Sequence, residues 1–95
     1  MNIGNAIKLL RKEKKMGQRD LAEKCDISIN ALSQIEINAS FPQKSTIEKI
    51  CKALDIPVSY LLFFSITDED IPLEKQEIFN VLSKTIKTVL VEKVK

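Results

Sequence analysis

The sequence predicts an all-α protein with five short helices, a linker and a longer C-terminal helix. Apolar residues recur at helical spacings of three and four along most of the chain. Capping and turn residues separate these segments at short intervals, and almost no segment shows the alternating pattern of a strand. The length of 95 residues is that of a single small folding unit.

The first two helices are predicted over residues 3–15 and 18–25, with Gly17 interrupting the pattern between them. Each has one apolar face, formed by Ile3, Ile7 and Leu10 and then by Leu21, Ala22 and Cys25. Asp26 is the predicted C-cap of the second helix, because aspartate tolerates the left-handed backbone conformation better than most residues.

The third helix is predicted over residues 28–37. Ser28 is a favourable N-cap residue, and Leu32 and Ile35 share the face that should point into the core. Asn38 occupies the position where a left-handed residue would end the helix.

The fourth and fifth helices are predicted over residues 45–54 and 58–63. Ser45 and Glu48 have the spacing of a capping box, which predicts Ser45 as the N-cap of the fourth helix. Pro57 interrupts the pattern and suits the first turn of the fifth helix.

The C-terminal region differs in composition from the rest of the chain. Residues 65–72 are acidic and end in proline, which predicts a linker, and residues 73–94 form the sixth predicted helix. The chain therefore divides into a domain over residues 1–66 and an acidic linker with a C-terminal helix over residues 67–95. The apolar stripe of the last helix contains Ile78, Leu82, Ile86 and Val89.

The composition argues against several kinds of chemistry. The chain has no histidine, which excludes Ser-His-Asp and Cys-His catalysis and imidazole metal ligands. Cys25 and Cys51 fall on apolar helix faces, which predicts buried thiols in a reducing cytosol, with a disulfide as the alternative. No signal peptide, membrane span, metal cluster or glycine-rich loop is visible. We therefore expect a cytoplasmic protein that is not an enzyme and binds neither a cofactor nor a membrane.

The second and third helices lie on either side of a tight turn, which is a helix-turn-helix pattern. Ala22 is small enough to let the two helices cross closely, and Ile27 is placed to fill the turn. Leu32 and Ile35 would anchor the third helix, which leaves its other face exposed.

Residues 3–63 resemble the Cro/cI-type helix-turn-helix family, also called the xenobiotic response element family. The matching segments are residues 7–12, 18–24, 27–28, 32–36, 42 and 53–62. The resemblance implies a five-helix, lambda-repressor-like domain that binds double-stranded DNA and regulates transcription. The chain departs from the family pattern at Gly17, Asp26, Asn38 and Ile29, where the family favours a hydroxyl residue, glycine, glycine and a polar residue.

The resemblance also assigns expected roles. The base-reading positions correspond to Ser28, Ile29, Asn30 and Gln34. The expected contacts with the DNA backbone come from Gln18, Ser33, Asn38 and Lys44. Arg11 and Glu36 match a pair that forms a partly buried structural salt bridge. Because Asn and Gln pair with adenine and Ile suits a thymine methyl, A·T pairs should dominate the bases read directly.

The distribution of charge agrees with a DNA partner. The net charge is only +2, but residues 1–24 contain seven basic and three acidic side chains, and the rest is slightly acidic. A two-fold operator requires a dimer, and the predicted dimer residues are Leu61, Leu62, Phe63, Phe64, Ile78, Leu82, Ile86 and Val89. The alternatives are a last helix that packs on its own domain or holds a protein partner.

The favoured function is a sequence-specific transcriptional regulator, most simply a repressor that places its third helix in the major groove as a homodimer. An antitoxin that holds a toxin with its last helix is one alternative. A protein-interaction module whose third helix no longer reads bases is the other.

Overall fold

A computed structural model describes the backbone of residues 1–94 and the side chains of residues 1–92; Lys95, the last residue of the predicted second region, lies outside it. The described chain is helical without strands, which confirms the predicted fold class. Two short 3-10 turns, Asp68–Asp70 and Leu73–Lys75, precede the last helix. The helices are α1 (Ile3–Glu13), α2 (Gln18–Lys24), α3 (Ile29–Glu36), α4 (Lys44–Leu54), α5 (Val58–Ser65) and α6 (Gln76–Val94).

The core lies between the first five helices. Helix α1 is central to it and contacts α3, α4, α5 and α6, while α2 packs against α3 and α4. Each of these helices contributes apolar side chains from one face, as the spacing predicts. The large side chains with no exposed surface include Ile7, Leu10, Leu21, Leu32, Ile50, Leu54 and Leu61.

Four helices end in the same way, with one residue in the left-handed conformation. These residues are Lys15, Asp26, Asn38 and Asp55, with φ between 55° and 62°. In each case the next residue donates its backbone N–H to a carbonyl five residues earlier, which is the Schellman arrangement. The left-handed conformation predicted at Asp26 and Asn38 is confirmed, but the C-cap of α2 is Cys25, one residue before Asp26.

Apolar packing explains why these turns form without glycine. The residues that follow three of the left-handed positions, Met16, Ile27 and Ile56, all pack against the core. Burial of the side chain after the turn favours the turn, and this offsets the strain of a non-glycine residue at positive φ. Lys15 is not a residue that sequence preference selects for this conformation.

Several predicted helix bounds need correction. Helix α1 ends at Glu13, because Lys15 is left-handed and terminates it. Helix α4 begins at Lys44, with extended Gln43 as its N-cap and no side-chain cap, so the capping box at Ser45 is wrong. Buried Pro42 and extended Gln43 bring the chain directly into the helix, which places Ser45 inside the first turn.

Gly4 allows α1 to approach the end of α3 very closely. A Cβ atom at this position would lie 2.7 Å from Asn38 Oδ1 and 2.8 Å from the Glu36 carbonyl oxygen, and closer still to the Ile35 carbonyl oxygen. Two of these three atoms belong to the backbone and cannot simply rotate away. The close contact fixes α3 against α1.

The predicted linker is tied to the start of the chain. The backbone N–H of Asn2 donates to the Ser65 carbonyl at 2.7 Å, and the Met1 amine forms an ion pair with Asp70 at 3.0 Å. The Gln76 side chain donates to the Asp68 and Ile71 carbonyls. These contacts place the start of α6 beside the N-terminus of α1.

Helix α6 packs on its own domain along one side only. Ser83 is the buried residue on that side, while Phe79, Leu90 and Val91 are half-buried. Lys87 Nζ lies 6.0 Å and 5.8 Å from the ring centres of Phe63 and Phe64, respectively, within cation–π range. The described part of α6 is therefore attached by partial burial rather than by a continuous core.

Candidate nucleic-acid interface

Helix α3 has a buried side and an exposed side. Leu32, Ile35 and Glu36 are buried against the domain. Because successive residues of an α-helix are 100° apart, the opposite side contains Asn30, Gln34 and the C-terminal neighbour Ile37. Ser33 lies at its edge, and Ile29 lies on the flank beside Glu36. Of these, Ile29, Asn30 and Ile37 are exposed, and Ser33 and Gln34 are half-buried.

The turn between α2 and α3 holds this surface outward. Ala22 is buried at the helix crossing, and Ile27 packs against the core after the left-handed Asp26. Ser28 is the N-cap of α3, since its Oγ accepts a hydrogen bond from Ala31 N at 2.9 Å. The Ser28 hydroxyl thus orients the helix, and Asn30 lies exposed in its first turn.

The expected ion pair between Arg11 and Glu36 is present and buried. Arg11 Nε donates to Glu36 Oε2 at 2.8 Å, and Arg11 Nη2 donates to Oε1 at 3.0 Å. Arg11 Nη1 also donates to the Met16 carbonyl oxygen at 2.9 Å. This two-point contact locks α1 to the end of α3 and to the connection that precedes α2.

Gln18 and Asn38 both make hydrogen bonds within the chain. Gln18 Nε2 donates to Glu36 Oε1 at 3.0 Å, a contact that sequence reasoning did not anticipate. Asn38 Oδ1 accepts from Gly4 N at 3.1 Å, and its Nδ2 donates to Asn2 Oδ1. Asn38 therefore joins the end of α3 to the start of α1, and its contact with DNA stays a prediction.

Lys44 is the first residue of α4, where its side chain is exposed. The first turn of α4 has no side-chain cap, so its N–H groups are not occupied by a capping oxygen. An exposed lysine beside uncapped N–H groups is suited to an anion such as a DNA phosphate.

The comparisons with known proteins agree with this geometry. A family model described as a helix-turn-helix domain matches residues 4–63. The immunity repressor protein of Bacillus phage phi105 is 38% identical over 80 residues, which cover 84% of this chain and 53% of the repressor. The chain belongs to the Cro/cI-type helix-turn-helix family of DNA-binding regulators.

A second relative is a multiprotein-bridging factor 1 from Debaryomyces hansenii, which is 36% identical over 56 residues. That match covers 59% of this chain and 37% of the relative. The chain thus spans about half the length of the phage protein and a smaller part of the other.

Ile37 is the residue of this helix-turn-helix surface that sequence reasoning missed. Its side chain is 66% exposed, and it lies one helical turn beyond Ser33 on the same side as Asn30 and Gln34. The spacing of four from Ser33 was the available signal, but an apolar residue at a helix end is easily assigned to the core.

Two predicted dimer residues are core residues. Leu61 has no exposed surface and Phe64 has 7%, so the structure corrects their assignment to a surface of contact. Both belong to the core cluster, in which α5 packs against α1 and α4. Leu62 is exposed, and half-buried Phe63 stands edge-to-face with Phe64.

The outer side of α6 is apolar and bare. Its large apolar residues are between 45% and 65% exposed, and only uncharged Thr85 interrupts them. At 100° per residue they form one continuous strip along the helix. We name this strip the α6 outer face; it consists of Ile78, Val81, Leu82, Thr85, Ile86 and Val89.

The two cysteines are free and buried, as predicted. Burial raises the pKa of both thiols, and that of Cys51 rises to about 11 with Cys25 nearby as a further cause. Neutral, inaccessible thiols are poor nucleophiles and poor metal ligands. Among the described residues there is no cluster of metal-ligating side chains, and none of the described helices could span a membrane.

Proposed function

We propose that this protein is a transcriptional repressor that binds a two-fold DNA operator as a homodimer. The observation that carries the proposal is the outer side of α3, where two amides, a hydroxyl and two isoleucines face outward on a helix fixed from behind by a buried ion pair. A rigid helix with hydrogen-bonding groups on its outer side is what reading a major groove requires.

The side chains of α3 favour particular bases. Asn30 and Gln34 match the N6–H donor and N7 acceptor of adenine, and Ile29 and Ile37 match the methyl group of thymine. Helix α3 has no lysine or arginine, which are the usual partners of guanine. We therefore propose operator half-sites in which A·T pairs occupy the positions that α3 contacts.

Phosphate contacts are proposed on both sides of α3. Gln18 and Lys44 begin the helices α2 and α4, and Ser33 and Asn38 lie on or just after α3. The excess of basic side chains in residues 1–24 adds a long-range attraction to DNA. These phosphate contacts would fix the position of α3 along the DNA. The basic residues of segment 1–24 would increase the rate of association with DNA.

The homodimer is proposed to form across the α6 outer face. Helix α6 has 19 residues, and at 1.5 Å per residue its length is about 28 Å. A second copy presents the same apolar strip, so a two-fold pairing would bury both without leaving a charge unpaired. Leu62 and Phe63 stay predicted neighbours of this interface.

Repression is the sign of regulation that the phage relative favours, since that protein is an immunity repressor. A dimer seated on a promoter excludes polymerase without any catalytic step, and none of the proposed contacts needs a cofactor.

The proposal is tested by selecting operator sequences from random DNA and measuring affinity across a series of salt concentrations. We expect A·T-rich half-sites and an affinity that falls steeply with salt, by a slope of about −0.9 per phosphate neutralised. Gln34→Ala should cost about 1–3 kcal/mol and relax selection at one position. The control Asn80→Ala removes an exposed amide from α6 and should change neither. G·C-rich half-sites would contradict the base readout.

A second candidate is a protein-interaction module. It is favoured by the exposed α6 outer face and by the similarity to a multiprotein-bridging factor. Such a module should show no sequence selection and only weak, nonspecific DNA binding. The selection from random DNA therefore separates the two functions, because only the repressor should enrich a defined sequence.

A further inference from the structure

We infer that Glu36 is a positioning residue for DNA binding: its buried carboxylate holds the Gln18 amide in the orientation that meets a phosphate. The inference rests on the proposed function, because it concerns the expected phosphate contact of Gln18. It goes beyond the salt bridge, since a bridge between α1 and α3 requires no contact with α2.

The carboxylate of Glu36 receives three hydrogen bonds from two side chains. Arg11 supplies two of them, at 2.8 Å and 3.0 Å, and Gln18 Nε2 supplies the third to Oε1 at 3.0 Å. The Glu36 side chain is only 2% exposed. A buried carboxylate accepts but cannot donate, so it selects the nitrogen end of the Gln18 amide.

This selection determines what Gln18 offers to DNA. A glutamine amide has two N–H groups, and the second N–H of Gln18 is used by no hydrogen bond among the described residues. Gln18 is half-buried, so part of the residue stays accessible while its amide is bound to the carboxylate. A phosphate oxygen is an acceptor, and a free N–H is the group that it requires.

The same network also fixes the chain that leads to Gln18. Arg11 Nη1 donates to the Met16 carbonyl at 2.9 Å, two residues before Gln18. The end of α3, the connection after α1 and the Gln18 amide are therefore held by one ion pair, in which Arg11 binds the Met16 carbonyl and Glu36 binds Gln18. Ordering the amide before binding lowers the entropy lost when DNA arrives.

A variant that removes the carboxylate without leaving a buried charge is available. Replacing both partners of a buried ion pair by apolar residues of similar volume is often neutral for stability, whereas removing one partner is not. The double variant R11M/E36M should therefore stay folded, which a thermal unfolding curve checks, and it leaves Gln18 without its acceptor.

The first readout needs no DNA. In the free protein, ¹⁵N relaxation of the Gln18 side-chain amide should report an ordered group, and in R11M/E36M a mobile one. The Gln76 amide, which donates to two carbonyls near α6, is the internal control and should stay ordered in both. A Gln18 amide that is equally mobile in both proteins would overturn the inference.

The second readout is operator affinity. Gln18→Ala should weaken binding about tenfold in the otherwise natural chain and much less in the R11M/E36M background. The salt slope should not change, because glutamine carries no charge. An equal loss in both backgrounds, or no loss in either, would overturn the inference while operator binding persists. Failure of the proposed function has a different signature: the natural chain would show no sequence-specific binding.

Discussion

Helices α3 and α6 are both two-sided, but they are fixed to the molecule in opposite ways. Helix α3 buries Leu32 and Ile35 and adds a buried ion pair, and its outer side is mostly polar. Helix α6 is only half-buried on its inner side and leaves its larger apolar residues outside. Helix α3 is therefore fully anchored within the chain, whereas α6 leaves a large apolar surface uncovered.

The difference shows what each helix needs from its surroundings. Rigid attachment suits α3, because base readout depends on side chains that stay in place before DNA arrives. An exposed apolar strip as long as the α6 outer face is unfavourable in water, which supports the proposed association through it. The contrast supports a division of roles. Helices α2 and α3, which we call the reading unit, are proposed to contact DNA, and α6 is proposed to join two copies of the chain.

The largest effect should come from breaking the attachment of α3. Glu36→Ala leaves Arg11 buried without its partner, and we expect it to reduce the free energy of unfolding by about 3–5 kcal/mol. Urea unfolding measures this directly. The control Glu48→Ala, at an exposed position on α4, should cost little, and an equally small loss for Glu36→Ala would remove the distinction between the two helices.

A matched pair of leucine substitutions sharpens the comparison. Leu32 on α3 has no exposed surface, whereas Leu90 on α6 is half-buried. Leu32→Ala should cost about 2–5 kcal/mol because it leaves a cavity in the core, and Leu90→Ala about 1 kcal/mol. Both are read from the same unfolding curves at one protein concentration. Equal costs would mean that α6 is anchored as firmly as α3.

A charged substitution on the α6 outer face tests whether two copies of the chain pair across it. Leu82→Lys should leave the fold intact but convert a dimer to a monomer in light scattering. It should also weaken operator binding about a hundredfold, because two linked half-sites become one. Asn80→Lys adds the same charge at an exposed position on the side of α6 away from the strip and should do neither. A natural chain that is already monomeric at micromolar concentration would contradict the dimer.

The smallest effect is expected at Lys44, which lies outside α3 at the start of α4. Lys44→Ala should weaken operator binding only severalfold, but it should make the salt slope shallower by about 0.9, since one phosphate loses its cation. Lys75→Ala, at an exposed site before α6, is the control. An unchanged slope would place Lys44 away from the DNA backbone.

Local sequence signals predicted most of the reading unit. The bounds of α2 and α3 were correct to within one residue, and Ser28, Asp26 and Asn38 occupy the predicted cap and turn positions. These features depend on a few neighbouring residues, so sequence can specify them. Lys15 and Asp55 were missed because core packing of the residues that follow them, rather than their own preference, selects the left-handed conformation.

The amino-acid sequence by itself determined the all-helical class, the helix-turn-helix family and the polar character of the outer side of α3. Only the tertiary structure decided that Leu61 and Phe64 belong to the core, that Gln18 is held by Glu36, and that α6 turns its apolar strip outward. The physical reason is that local preferences act between neighbouring residues, whereas packing joins residues that are distant in the sequence. Helical periodicity shows which residues share a face, but which face is buried depends on how distant elements pack.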